Sequence, residues 1–136
     1  LKSEFSSDKL VIIITGSRYL VDPEPVIMIL SEYINRMVIL YHGDNLAGVD
    51  THAYDFVNKH GSWIQRRHAA RWNLFGDRAG PIRNSEMVQA AHVEAQELDC
   101  AIQCLAFPGP RSIGTYDCAR KAQALNIPTR YIKVPQ

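Results

Sequence analysis

The chain has 136 residues, 46% hydrophobic and 21% charged, with a formal net charge of +1. That size and composition fit one globular domain able to bury a core without disulfide or metal staples. No apolar run approaches the roughly 18 residues that cross a bilayer, and the near-balanced charge argues against a protein that coats nucleic acid through its whole surface. The three cysteines, Cys100, Cys104 and Cys118, are odd in number and lack CxxC or zinc-ligand spacing. They read as thiols in or near the core of a protein kept reduced. The opening "LKSEFSSDK" is too polar for a secretory leader, so residues 1–8 read as a flexible segment and the protein as cytoplasmic.

In chain order, "KLVIIIT" (9–15) is a β-branched run closed by Gly16, the pattern of a strand buried on both faces of a parallel sheet. Asp22 before Pro23 is a helix N-cap followed by a first-turn proline, and "EPVIMILSEYIN" continues at helical spacing. "MVILYHG" (37–43) repeats the buried strand ending in glycine, and "AGVDTHAYDFVNKHG" is a helix ending at Gly61. "SWIQRR" (62–67) alternates and reads as a strand nearer an edge. The stretch from His68 to Pro81 has no period and reads as a long loop, broken by Gly80 and Pro81. "RNSEMVQAAHVEAQEL" is then a helix with Arg83 in its first turn. "CAIQCLAF" is a strand, "PGPRSIGT" a loop, "YDCARKAQALN" a helix and "PTRYIKV" a last strand. The alternation predicts a three-layer, doubly wound, mostly parallel α/β sheet of the Rossmann-like kind.

Such sheets bind ligands at the carboxyl ends of their strands. "TGSR", "HGDNLAG" and "FPGPRSIGT" each follow a buried strand, so all three should open on one edge and present helix N-termini to an anion. His42, at a strand end, is a further candidate contact. Between residues 66 and 83, Arg66, Arg67, Arg71, Arg78 and Arg83 face only Asp77 in the charge count, a local excess suited to a small anionic ligand or a short nucleic-acid contact. No loop matches GxGxxG or the P-loop lysine pattern, and no His, Cys or acid spacing suggests a metal. Neither cofactor nor metal is therefore expected.

The ordered set "IIITGSRYLVD", "YHGDNLAGVDTHA", "AGPIRNSEM" and "FPGPRSIGT" resembles the YspA-type branch of the SLOG superfamily, Rossmann-like nucleotide-related domains. That superfamily also holds the LOG phosphoribohydrolases and the DNA-processing protein DprA. The resemblance runs from about Val11 to Arg130. It implies that Gly16, Ser17 and Arg18 form a first ligand loop, with Asp22 its acid. Gly43, Gly48 and Asp50 belong to the second motif. Trp72 stands in the central loop, and Ala79, Gly80, Pro81, Arg83, Asn84 and Met87 follow it. Gly109, Gly114 and Thr115 match the phosphate loop. Arg83 falls where the LOG branch has a catalytic arginine. Pro110 replaces a glycine of the phosphate loop, which is about two residues longer here. The LOG catalytic glutamate position falls on Cys118, with Asp117 one residue before, and Arg71 replaces an acid.

Two functions follow as expectations. In the first, the chain binds a nucleotide or phosphoribosyl-containing derivative and hydrolyses its N-glycosidic bond. Arg83 and Asp117 would be catalytic, and Asp50 and Glu86 further candidate carboxylates. In the second, the same loops, with Trp72 and Tyr19 as stacking surfaces, sense or sequester a nucleotide-derived signal without chemistry. A third role, single-stranded DNA binding through Arg66, Arg67 and Arg71, is disfavoured by the small net charge. The LOG resemblance implies a homodimer or higher homo-oligomer, and no membrane partner is expected.

Overall fold

A computed structural model describes residues 8–134. The reading of residues 1–8 as a flexible segment lies outside that range, apart from Asp8, whose carbonyl accepts the Met37 N–H at 2.8 Å. Five strands, β1 (Lys9–Gly16), β2 (Met37–His42), β3 (Ile64–Arg67), β4 (Ala101–Phe107) and β5 (Thr129–Tyr131), form one sheet in the order β3-β2-β1-β4-β5. Every pairing is parallel. The helices are α1 (Glu24–Ser31), α2 (Val49–His60), the short α3 (Trp72–Phe75), α4 (Ala79–Leu98) and α5 (Ile113–Ala124).

Alternation along β1 makes the layers. Leu10, Ile12 and Ile14 point to one face, where Val26 and Leu30 of α1 and Ala53, Phe56 and Val57 of α2 cover them. Val11 and Ile13 point to the other, under Met87, Val88 and Ala91 of α4 and Cys118 and Ala122 of α5. A strand with both faces covered has no polar position in its middle, which is why "LVIII" is continuously apolar. β3, at the sheet edge, is mostly exposed, as its alternating sequence indicated. No helix among the described residues is long and apolar enough to cross a membrane.

Two helix starts differ from expectation, and both bear on function. α4 begins at Ala79, so Gly80 and Pro81 lie inside its first turn instead of breaking the chain before it. The first four N–H groups of a helix have no internal acceptor, and a proline there costs little. Arg83 therefore stands in the second turn. α5 begins at Ile113, which brings Gly114 and Thr115 from the expected loop into the helix. The segment from His68 to Pro81 is no plain loop either, since it holds α3 and a 3₁₀ turn over Gly76–Arg78.

The chain runs outward from β1 through β2 to β3, then returns to β4 and β5 on the other side of β1. The strand order thus reverses between β1 and β4, and the loops after these two strands part to leave a crevice. Central packing should set the stability of this frame. Ile12, fully buried, should cost about 2–5 kcal/mol when cut to alanine, read from urea unfolding. A loss well under about 1 kcal/mol would mean that this core is not closely packed.

Candidate functional site

The loop leaving β1 is clamped from both sides. Ser17 N–H donates to the Phe107 carbonyl at the end of β4, and the Ser17 carbonyl accepts the Val49 N–H at the start of α2, each at 3.0 Å. Gly48, with φ of +76°, passes directly against the Ser17 carbonyl and the Arg18 backbone, where any Cβ would collide. This close approach fixes the loops after β1 and β2 as one rigid wall. Ser17 Oγ tightens the turn further by accepting the Tyr19 N–H at 3.0 Å.

Between that wall, α4 and the start of α5 lies a cavity of about 550 Å³, within the size range of small-ligand sites. Arg83 reaches into it from α4. Its Nη1 donates to the carbonyls of Gly43 and His68, and its Nε donates to Asn84 Oδ1 at 3.0 Å. A Cβ at Gly43 would occupy the place of the guanidinium, so glycine there is what admits Arg83. Asn84 is itself buried and turns its amide nitrogen the other way, to the Gly114 carbonyl at 3.2 Å and Asp117 Oδ2 at 3.0 Å. Asp117 also takes the Lys121 ammonium at 2.8 Å, and Lys121 donates to the Pro81 carbonyl. One buried amide thus ties the arginine of α4 to the first turns of α5.

The remaining walls carry opposite characters. Gly114 and Thr115 line the cavity from the first turn of α5, with Arg111 just before the helix and Arg120 along it. Arg111 holds a left-handed backbone, φ +58°. Arg18 lines the other side. Among the described residues no ion pair is formed by Arg18, Arg83, Arg111 or Arg120. Tyr19, 75% exposed, and Trp72, 48% exposed, add aromatic faces at the rim, with Gly80 beside the Trp72 ring.

The fold gathers Gly16, Ser17, Arg18, Gly43, Asp50, Trp72, Gly80, Pro81, Arg83, Asn84, Gly114, Thr115 and Asp117 around this one cavity. Other candidates, Glu86 among them, lie off its walls. Asp22 is not the N-cap expected from the sequence, since Pro23 takes that position, and from just outside α1 its Oδ1 accepts the Glu24 N–H at 3.0 Å. His42 is fully buried behind the β2 loop, its Nδ1 accepting the Asp44 N–H and its Nε2 bonded to Gln65 Oε1, so it shapes the loop from behind. Gly48 packs the two loops together, and Gly109 donates its N–H to Ser112 Oγ at 2.6 Å. The local charge excess also resolves differently. Arg66 pairs with Glu94 and Arg67 with Asp44 on the sheet edge, while the unpaired cations of the cleft include Arg111 and Arg120, outside the 66–83 window. Their signal was their place in and after the glycine loop. Among the described residues no three His, Cys, Asp or Glu side chains come together as metal ligands.

No family model matches the sequence. Over 125 residues it is 34% identical to the Gene 61 protein of Mycobacterium phage D29, a match covering 86% of this chain and 91% of that protein.

Asp50, in the first turn of α2, is 4% exposed and lines the cavity. Its Oδ2 accepts the Asn45 N–H at 3.2 Å. Burial pushes its carboxyl above the ordinary value of 3.8, against the opposing pull of His42, the Asn45 amide and Arg83. A raised folded value means that the folded state binds the proton more tightly than the unfolded one. The resulting stabilisation is complete below 3.8 and is lost as pH rises through the folded value. Asp50→Asn keeps an oxygen for the Asn45 N–H and removes the buried charge. It should therefore raise the melting temperature at neutral pH, with the gain shrinking in acid; calorimetry showing a lower melting temperature at neutral pH would contradict this.

Proposed function

The chain belongs to the family of the phage Gene 61 protein, and from the cleft at the sheet's switch point we propose that it binds a nucleotide or another phosphoribosyl-containing nucleotide derivative. The observation that carries this reading is the state of Arg83. Its guanidinium is fixed in the cavity by backbone carbonyls and an amide, and no carboxylate forms an ion pair with it among the described residues. Beside it, the N–H groups of Gly114 and Thr115 in the first turn of α5 find no backbone acceptor among the described residues, as the start of a helix requires. A phosphate at that helix start meets the helix dipole together with Arg111 and Arg120. Tyr19 and Trp72 offer stacking faces for a base, which leaves the sugar near Asp50.

The buried Asp50 favours hydrolysis of the N-glycosidic bond over simple sequestration, because a sensor needs no carboxylate there. Single-stranded DNA binding finds no support at this cleft, since Arg66 and Arg67 are held by Glu94 and Asp44 elsewhere. A homo-oligomer remains part of the proposal. Val21, Leu46, Leu74 and Ile113 are strongly exposed apolar side chains in the segments near the cleft and give a second copy a surface to cover.

Nucleoside monophosphates, nucleoside diphosphates and ADP-ribose should raise the melting temperature in a concentration-dependent way if they bind the folded state. Arg83→Ala should weaken that binding about tenfold to a hundredfold, the scale of a lost charged hydrogen bond. Gly43→Ala should do the same by displacing the guanidinium, and Arg66→Ala should leave binding unchanged. No shift with any of these compounds, or an unchanged shift in Arg83→Ala, would remove the site. Size-exclusion chromatography with light scattering should show a dimer or larger, and a monomer alone would refute the association.

A further inference from the structure

Resting on the nucleotide reading, we propose that Asp50 is the general base of this cleft, the carboxylate that takes a proton from the water attacking the sugar carbon of an N-glycosidic bond. The first support is elimination among the carboxylates present. Asp117 holds the Lys121 ammonium and the Asn84 amide on one oxygen, so it serves as a strut joining α4 to α5. Asp77 sits exposed on the 3₁₀ turn at the rim. Glu86 is exposed and lines a neighbouring hollow outside the main cavity.

The second support is that the position of Asp50 runs against what a structural role requires. A first-turn acid that serves only the helix dipole does so from the surface, where its charge stays hydrated. Asp50 is buried, makes no ion pair among the described residues, and accepts one backbone N–H. Burial outweighs the pull of His42, the Asn45 amide and Arg83 on its charge, and buried carboxylates of this kind concentrate where chemistry uses them. The third is placement. Arg83 Nη1 and Asp50 Oδ2 both close on the same point beside Gly43, so the anion-holding cation and the base line one pocket wall without touching as a salt bridge. The titratable and charged groups that bear on Asp50 are His42 and Asp44 at the end of β2, Arg83 of α4 and Cys118 of α5.

The step balances without a co-reactant. Water gives a proton to the Asp50 carboxylate as its oxygen bonds to the anomeric carbon. The carbon–nitrogen bond breaks with its electron pair going to the base nitrogen. That nitrogen takes up the proton from Asp50, releasing free base and the sugar phosphate and restoring the carboxylate. Arg83 holds the phosphate-bearing sugar throughout.

The test uses the full chain with AMP, GMP, CMP and UMP as probes, reading binding by calorimetry and free base by chromatography. The wild type should release base from at least one of them. Asp50→Asn should bind that probe within about threefold of wild type yet lose at least a hundredfold in release, the range for a missing general base. Asp117→Asn should lose less than about tenfold in release per bound probe. Independently of any variant, the wild-type rate should rise with pH through an ionisation above 3.8, the side on which burial places Asp50. Binding without base release overturns the proposal and leaves the nucleotide reading intact, whereas no binding at all overturns both. A flat pH profile, or a loss confined to Asp117→Asn, also overturns it.

Discussion

The guanidinium of Arg83 is bonded to two backbone carbonyls and one side-chain amide, and the rest of the cleft is arranged around that fact. A buried or half-buried arginine usually meets a carboxylate. Here Gly43 and His68 supply carbonyls, which orient the group without cancelling its charge. The arrangement needs a glycine at 43, since a side chain there would take the guanidinium's place. It also needs Asn84, whose oxygen faces Arg83 and whose nitrogen faces α5. Two adjacent residues of one helix thereby place a cation in the pocket and fix the position of its far wall.

This constraint explains why the sheet topology matters. The loops after β1 and β4 separate because the chain continues to opposite sides of β1, and α4 lies on the face from which Arg83 can reach across the end of β2. The backbone contacts of Ser17 with Phe107 and Val49 keep the opening from collapsing. Lys121 and Asp117 brace α5 against the first turn of α4 from outside. Electrostatic preorganisation of this kind requires a rigid frame, because a mobile arginine would turn to the nearest carboxylate.

Much of this was legible along the chain. Runs such as "VIII" in β1 could only be strands covered on both faces, and the glycines after β1 and β2 marked where they end. The start of α4 was not legible in the same way, because Gly80-Pro81 carries the chemistry of a break as well as that of a first helical turn. The charge pattern misled for a different reason. Arg66 and Arg67 are close to Arg83 in sequence but lie on an edge strand beside Glu94 and Asp44, while Arg111 and Arg120 enter the cleft from a later segment. A count along the chain cannot see which neighbours cancel in space. His42 and Gly48 belong to the site's loops, yet they act from behind it, as a buried brace and as the point where two backbones meet.

On the proposal above, the ligand sits at the switch point between β1 and β4. Nitrogen-15 amide shift mapping during titration with AMP tests it most directly. The largest changes should fall on Gly16, Ser17, Gly114 and Thr115, with the Arg83 side-chain Nε–H moving in step. Changes centred instead on the separate groove lined by Tyr41, Val93 and Glu97, or no saturable change, would contradict it.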